Sequence, residues 1–510
     1  MRTQLTGCSR PPGNMLAKIT KWLGKPINLF LTLTLFLAFF IRVFRVDQIL
    51  GFYFDQGRDA LVIWDFIHSH KLFLIGPTTG IEGIFRGPWY YWLITPFYWL
   101  GKGNPVYPSV FLAGITVFSI YLVYKIADKA GGRVPAVISL IIASFSFPFM
   151  LSGRWLSNPT PMFPISMVLI YSLLLIMEKK KWAWILTTLM LGMAMQFGSA
   201  AEVFYFPAVL IFAIWQRKNL PKGGILIASF AVFLAVFIPQ IVFDLKHQGI
   251  LRSAIGKFLF AEGSFKLSFW EIVKIRLPFY FDVFMSKIFQ SLIPQRIFAL
   301  TFFVILLIKR GELFKNFKFL VLGLFLLAPV VGMLFFQGNY GNVYDYYFTG
   351  YYFVFVLLFG LVLGAFWKNP AGKVIVILFL ALFLKENLVP VKNYIIAGVD
   401  RPTTIAYGNQ KQAIDWIYKD AGDRKFNVDV YVPPVIPHAY NYLFRWLGTN
   451  KYGVLPQDNQ VPLLYTLYET DPPHPERLKA WLDRQKGIGK VMKEQTFGGI
   501  TVQERERIKK

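Results

Sequence analysis

INLFLTLTLFLAFFIRVFRV, residues 27–46, runs from Ile27 to Ile41 without a charge. As a helix it covers about 30 Å, the thickness of a bilayer's hydrocarbon core. Arg2, Arg10, Lys18, Lys21 and Lys25 precede it with no acid among them. Basic residues collect on the cytoplasmic side of such a run, so the N-terminus is expected in the cytoplasm. No small-residue cleavage site follows, and the run reads as a retained anchor, not a signal peptide.

Working outward, ten further apolar runs lie at roughly 107–125, 134–151, 161–177, 182–198, 202–216, 223–243, 292–308, 319–336, 346–366 and 373–389. Alternating crossings put Lys125/Lys129/Arg133, Lys179–Lys181, Arg217/Lys218/Lys222, Lys309/Arg310/Lys315/Lys318 and Lys368/Lys373 on the cytoplasmic side every time. Composition agrees: 55% of the 510 residues are hydrophobic, 52 are Phe and only 16% are charged, against about 25% charged in soluble domains. The net charge of +26 is then the charge of cytoplasmic loops facing anionic lipid, and not a nucleic-acid footprint. Cys8 is the one cysteine, which excludes an intrachain disulfide and a cysteine metal site; the five histidines show no HExxH spacing.

Residues 87–101, GPWYYWLITPFYWLG, are apolar but short and contain Pro96. A full crossing here would move the 125–133 cluster outside, so this segment is expected to lie embedded at the outer leaflet, where Trp and Tyr are favoured. Fifteen acids precede residue 390; Asp128, Glu178 and Glu312 fall in inner loops and twelve at the outer face. Acids kept at one face point to chemistry or binding there. Residues 391–510 carry 18 Lys/Arg and 13 Asp/Glu. QKQAIDWIYKDAG (410–422) has helical spacing, while NVDVYVPP (427–434) and GGITVQERE (498–506) read as strands. The expected architecture is an all-α polytopic membrane protein of about eleven spans plus an outer-leaflet embedded segment, with a small C-terminal α/β domain outside. Its parts are a basic cytoplasmic tail (1–26), a transmembrane domain (27–390) with outer loops at 47–88 and 244–291, and the extracytoplasmic domain (391–510). A plasma (inner) membrane is the expected location.

Four polar knots fall on the outer face. In DQILGFYFDQGRDALVIWDF (47–66), Asp55 and Asp59 share one helix face. Arg58 could simply neutralise them; the same loop also holds Glu82 and Arg86. SGRWLSNPTP carries Arg154 and Asn158, a cation and an amide suited to a phosphate, or a cation that snorkels to headgroups. FDLKHQGILRSAIGKF holds Asp244, Lys246, His247 and Arg252, and NYGNVYDYYFTGYYF holds Tyr344, Asp345 and Tyr346. Tyrosine-rich rims are often interfacial belts alone. The chain has no P-loop, GxGxxG or DxD. An outward-facing enzyme needs an activated substrate delivered through the membrane, which a lipid-linked donor supplies.

FDQGRDA (54–60), LIGPTTGIEGIFRGPWYYWL (74–93), SGRWLSNPTPMFP (152–164), GMAMQFGSAAEVFYFP (192–207) and FDLKHQGILRSAI (243–255) occur in an order that resembles the bacterial C-type (GT-C) glycosyltransferases of the protein O-mannosyltransferase and aminoarabinose transferase superfamily. The resemblance is carried mainly by residues 25–260. It implies a polyprenyl-phosphate sugar donor and transfer at the outer leaflet, with an acidic residue of the first outer loop at the reaction centre. Asp55 matches that position, with Asp59 as a second candidate carboxylate. GPWYYWL, with Tyr90, matches an aromatic stretch beside the lipid-phosphate site. Arg86 stands nearest to where some relatives have Lys. Asn158 replaces a second acid present in some relatives, which leaves metal dependence open: no cofactor is certain, and a divalent cation is an alternative.

The expected function is membrane transfer of a sugar from polyprenyl phosphate to a protein, lipid or glycan acceptor, with inversion. Asp55 and Asp59 are the catalytic candidates, and Arg86, Arg154 and Lys246 the donor-phosphate candidates. Glu82, Tyr90, Asn158, His247 and Tyr346 are candidates for the substrate pocket. A transporter or lipid flippase is the alternative class, although no repeat appears. A non-catalytic scaffold would leave the Asp55 loop unexplained.

Overall fold

The computed structural model describes residues 24–79, 83–260, 267–336, 341–433 and 436–508. Among the described residues, sixteen α-helices of more than about one turn form the first part: α1 (Pro26–Val43), α2 (Phe54–Ser69), α3 (Trp89–Leu100), α4 (Val106–Gly131), α5 (Arg133–Phe145), α6 (Phe147–Arg154), α7 (Met162–Met177), α8 (Ala183–Phe197), α9 (Tyr205–Trp215), α10 (Gly224–Lys246), α11 (Ile250–Phe260), α12 (Phe269–Met285), α13 (Leu292–Ile308), α14 (Phe317–Gly332), α15 (Tyr352–Phe366) and α16 (Pro370–Ile396). All eleven apolar runs fall on helix. Among the described residues, six helical segments are long and apolar enough to cross a membrane, and a seventh is if α5 and α6 count as one bent span. The remaining four runs form α7, α8, Ala200–Trp215 and α13, which are shorter apolar helices.

The 61° bend between α5 and α6 has a local cause. Pro148 has no N–H to donate across the break. The Phe147 N–H donates instead to Asn387 Oδ1 at 2.9 Å, and Ser146 Oγ donates to Lys287 O at 2.7 Å. The segment expected at the outer leaflet is a separate twelve-residue helix, α3. At the α-helical rise it is about 18 Å long, too short for the hydrocarbon core. Buried α15 sits centrally, all of its residues from Tyr352 to Gly364 being buried, while α10 and α13 leave most of their Leu, Ile and Phe exposed. A helix apolar all round is at home only in a core or in lipid.

Helix α16 continues to Ile396, past the composition shift at 390, with Pro390 inside it. Val391 is buried, and Tyr394 donates its hydroxyl to Ile49 O at 3.2 Å. This last part of the helix packs against the segment that follows α1. The C-terminal domain then comprises α17 (Tyr407–Ala421), β1 (Phe426–Tyr431), α18 (His438–Leu447), β2 (Leu463–Glu469), α19 (Pro475–Lys486), β3 (Gly489–Phe497) and β4 (Ile500–Arg507). Its sheet order is β1-β2-β4-β3, parallel between β1 and β2 and antiparallel elsewhere. The helix at 410–422 and the strands at 427–434 and 498–506 correspond to α17, β1 and β4; the other four elements carried no clear sequence signal.

This domain is not an appendage. Tyr407 N–H donates to Leu50 O and Gln410 Nε2 to Phe52 O, each at 2.9 Å. Trp446 Nε1 donates to Lys102 O at 2.8 Å, Tyr442 donates to Gly103 O, and Arg445 pairs with Asp65 at 2.9 Å. Helix α18 lies directly on α2. A Cβ at Gly57 would come within 2.2 Å of Ala439 N, so only glycine allows this approach.

Candidate active site

A cavity of about 920 Å³ opens between α2, the segment before α3, the turn after α6, the α8–α9 junction and the segment after α14. Asp55, Arg58, Asp59, Arg86, Asn158, Gln240, Tyr346 and Tyr347 give it polar walls. Phe204, Phe258, Phe335 and Phe336 give it apolar ones, and Val203 and Phe335 are themselves exposed at the molecular surface. The apolar wall therefore reaches the molecular surface. A smaller space of about 260 Å³ lies beyond the C-terminal half of α2, lined by Trp64, His68, Tyr98 and Tyr442 with no carboxylate.

Asp55 sits in the first turn of α2, where the helix N-terminus favours a negative charge. The turn is closed by Gln56 Oε1, which accepts the Tyr53 N–H at 3.1 Å. Arg58 bridges both acids, reaching Asp55 at 2.8 Å and Asp59 at 2.8 Å. Exposure separates them: the side chain of Asp55 is 57% exposed and that of Asp59 6%. Asp59 also accepts the Tyr91 hydroxyl at 2.9 Å. Burial pushes its carboxyl up to about 6, against the opposing pull of Arg58 and Tyr91. Its Oδ1 is committed to Arg58 and Tyr91. Asp55 is the carboxylate with an open face.

Arg86 is half-buried and donates from Nε to Gly198 O at 2.9 Å and from Nη1 to Thr78 O at 3.4 Å. Burial lowers its pKa, and the charge of Glu202 is the largest effect opposing this; a guanidinium stays protonated regardless. No ion pair joins Arg86 to a carboxylate among the described residues.

Buried amides lace the cavity rim. Gln56 Nε2 donates to Leu156 O (3.1 Å), Asn158 Nδ2 to Phe197 O (2.7 Å), Gln196 Nε2 to Gln240 Oε1 (2.7 Å) and Gln240 Nε2 to Phe85 O (2.9 Å). Each ties one connecting segment to the next, so five separate stretches hold one wall. At Gly87 a Cβ would lie 1.9 Å from Gln196 Oε1; the glycine of the GPWYYWL segment is what lets this segment meet α8.

Of the residues singled out from sequence, Asp55, Asp59, Arg86, Asn158 and Tyr346 line this one cavity. Arg154, Lys246, His247 and Tyr90 do not. Arg154 is buried away from it, lying 5.3 Å from the Tyr394 ring centroid and donating to Phe44 O at 3.3 Å. Lys246 is exposed at the end of α10. His247 stacks on Phe243 at 4.1 Å and forms a 2.8 Å hydrogen bond with its carbonyl, and Asp244 Oδ1 accepts the Leu251 N–H at 2.8 Å. That third knot is a structural turn. Tyr90 is fully buried, and its hydroxyl has no partner among the described residues. Glu82 lies outside the described residues. Sequence reasoning missed Glu202. It is fully buried, accepts the Ser199 N–H at 2.6 Å, and leaves Oε1 unpartnered among the described residues. A lone acid inside GSAAEVFYFP was its one visible signal. Among the described residues no group of three His, Cys, Asp or Glu converges to hold a metal ion.

Residues 86–243 match the family model described as dolichyl-phosphate-mannose-protein mannosyltransferase. No curated protein matches the sequence significantly. In fold, the chain is similar to ArnT from Cupriavidus metallidurans bound to undecaprenyl phosphate, with a TM-score of 0.57 at 10% identity over 94% of this chain and 97% of that one. The apo form of that protein gives a TM-score of 0.57 at 11% identity, over 96% and 98% of the two chains. An oligosaccharyltransferase from Archaeoglobus fulgidus, in complex with Zn and sulfate, gives 0.51 at 14% identity, over 90% and 71%.

Proposed function

Starting from its C-type glycosyltransferase fold, we propose that this chain is a membrane glycosyltransferase that moves a sugar from a polyprenyl-phosphate donor to an acceptor on the extracytoplasmic side. In this reading the eleven apolar helical segments cross the membrane, α3 lies in the outer leaflet, the N-terminus is cytoplasmic and the C-terminal domain is outside. The observation that carries the function is the shared cavity. One exposed carboxylate, two guanidinium groups and an apolar wall open to the lipid face line a single space. Such a wall suits an isoprenoid chain, and the guanidinium groups suit its phosphate.

The reaction follows from that layout. The acceptor O–H is oriented by Asp55, which takes its proton as the oxygen bonds to the anomeric carbon. The anomeric C–O bond to phosphate breaks, and its electron pair leaves with the polyprenyl phosphate. Arg86 and Arg58 meet the charge that grows on the leaving phosphate. Attack opposite the leaving group inverts the anomeric centre. General-base assistance of this kind contributes about 10²–10⁴-fold. Asp59 and Tyr91 act through Arg58, holding it between the two acids.

Inverted vesicles loaded with synthetic undecaprenyl-phosphate sugars test the reading: wild type releases undecaprenyl phosphate and Asp55→Asn does not. Equal release by the two proteins would remove Asp55 from the chemistry. Uptake of the intact lipid sugar without cleavage would make the chain a transporter instead.

A further inference from the structure

A second space of about 90 Å³ adjoins the large cavity. The two share Trp155, Pro159 and Tyr346 as walls. Their chemistry differs. The large cavity is guarded by Arg58 and Arg86 and floored by phenylalanines, whereas the side pocket is lined by Ser152, Thr160, Thr349 and Asp345.

Hydrogen bonding gives this set a direction. Thr160 Oγ1 donates to Trp155 O and Thr349 Oγ1 to Tyr346 O, each at 2.7 Å. With their protons so engaged, both hydroxyls present lone pairs, and each can accept. Asp345 is tied to Lys287 Nζ at 3.1 Å, with its side chain 58% exposed. Its charge is thus balanced while oxygen lone pairs stay open. Just before the shared Pro159, Asn158 is 4% exposed and donates to Phe197 O, leaving Oδ1 without a donor among the described residues. Trp155, 36% exposed, offers a flat apolar face at the junction.

An array of acceptors around a balanced carboxylate matches neutral O–H donors. It repels a phosphate and gives an ammonium no net charge to pair with. A space of about 90 Å³ is a tenth of the large cavity's and suits a hydroxyl-bearing edge of a ring better than an isoprenoid chain. We propose that this pocket is the subsite for the donor's sugar, and that it selects a neutral, hydroxylated ring by hydrogen bonds that run from the ring to the protein. The inference rests on the glycosyltransferase reading above and adds where the sugar sits and which sugar chemistry is accepted.

The test compares full-length protein in detergent binding undecaprenyl-phosphate mannose, undecaprenyl-phosphate glucose and bare undecaprenyl phosphate. Ser152 lines the pocket, so Ser152→Leu, which adds volume there, is the principal variant. It should weaken at least one sugar lipid by about tenfold or more while bare undecaprenyl phosphate stays within about twofold, the selectivity a site built on hydrogen bonds confers. Asp345→Asn, which adds no volume, should shift affinity in the same direction, and it decides the matter if Ser152→Leu loses all three ligands by misfolding. Affinities that Asp345→Asn leaves unchanged, or lowers by the same factor for sugar-bearing and bare lipids, would overturn the subsite, as would wild type binding the sugar lipids no better than the bare one. If wild type binds bare undecaprenyl phosphate and neither variant weakens the sugar lipids selectively, the subsite fails while the donor cavity stands. If wild type binds no polyprenyl phosphate at all, the parent reading fails with it.

Discussion

The two polar ends of the bundle are built on different principles. Helix α4 joins them: it begins near Lys102 and Gly103, under the C-terminal domain, and ends beside Lys129. At the far end, Lys129 pairs with Glu178 at 2.6 Å and Lys368 with Glu312 at 2.6 Å, all on partly exposed side chains. Lys318 donates to Lys129 O, and Asn316 to Ala130 O at 2.6 Å. These are short links at a wetted surface. At the near end, Arg58, Asp59, Gln56, Asn158 and Gln196 are buried or half-buried, and the three amides bond from one cavity segment to another. Charges that only set topology can stay in water, where each pair is worth little. A charge that must be held in one place needs neighbours that are themselves fixed, and burial supplies them.

Asp55→Asn breaks this contrast most sharply. It should lower sugar release by about 10²–10⁴-fold with the melting temperature unchanged, whereas Glu178→Gln at the other end leaves release as it was. Vesicle release and a melting curve check both at once.

Gly57→Leu comes next. Its side chain overlaps the Ala439 backbone, so α18 must leave α2. Overpacking of this kind costs about 1–3 kcal/mol, and limited proteolysis should then cut between the bundle and the C-terminal domain. A variant as protease-resistant as wild type would show that the domain does not brace the catalytic helix.

Arg86→Gln should raise the donor KM by about tenfold, as loss of one hydrogen bond to a charged group does, with kcat less affected. Equal KM values would place the phosphate elsewhere.

Asp59 sharpens the comparison through pH. Its carboxyl titrates at 3.8 when exposed and at about 6 in the folded chain. Between these values the folded protein binds more protons than the unfolded one, so this group's contribution to stability falls as pH rises through the window. Asp59→Asn should therefore flatten part of the pH dependence of the melting temperature between about pH 4 and 6; parallel curves for variant and wild type would refute the assignment.

The smallest effect belongs to Lys129→Gln. Loss of a surface pair there should cost about 0–1 kcal/mol, visible as a shift of a degree or two in melting and no change in release.

Much of this was legible in the chain. Every apolar run became helix because length and hydropathy answer to one constraint, that a backbone in lipid must bond to itself. The order of polar knots placed Asp55, Arg86, Asn158 and Tyr346 at one end. What the runs did not carry was direction around each helix axis. Arg154 and Asn158 are four residues apart, yet one packs on Tyr394 and the other reaches the cavity. Lys246 and His247 follow each other in sequence, are exposed and line no part of the cavity. Glu202 looked like any acid at a helix start, and only the packing around Gly198 and Ser199 shows it buried beside Arg86.

Sequence by itself therefore settled the solvent, the helical class and the end of the bundle where polar residues gather, because these depend on composition summed over twenty residues at a time. The tertiary structure alone decided which carboxylate is open and which is spent on Arg58. It also decided that α18 braces α2 through Gly57, and that five distant segments close one cavity. Those outcomes depend on contacts between residues far apart in the chain, and no local pattern of hydropathy or charge encodes such a contact.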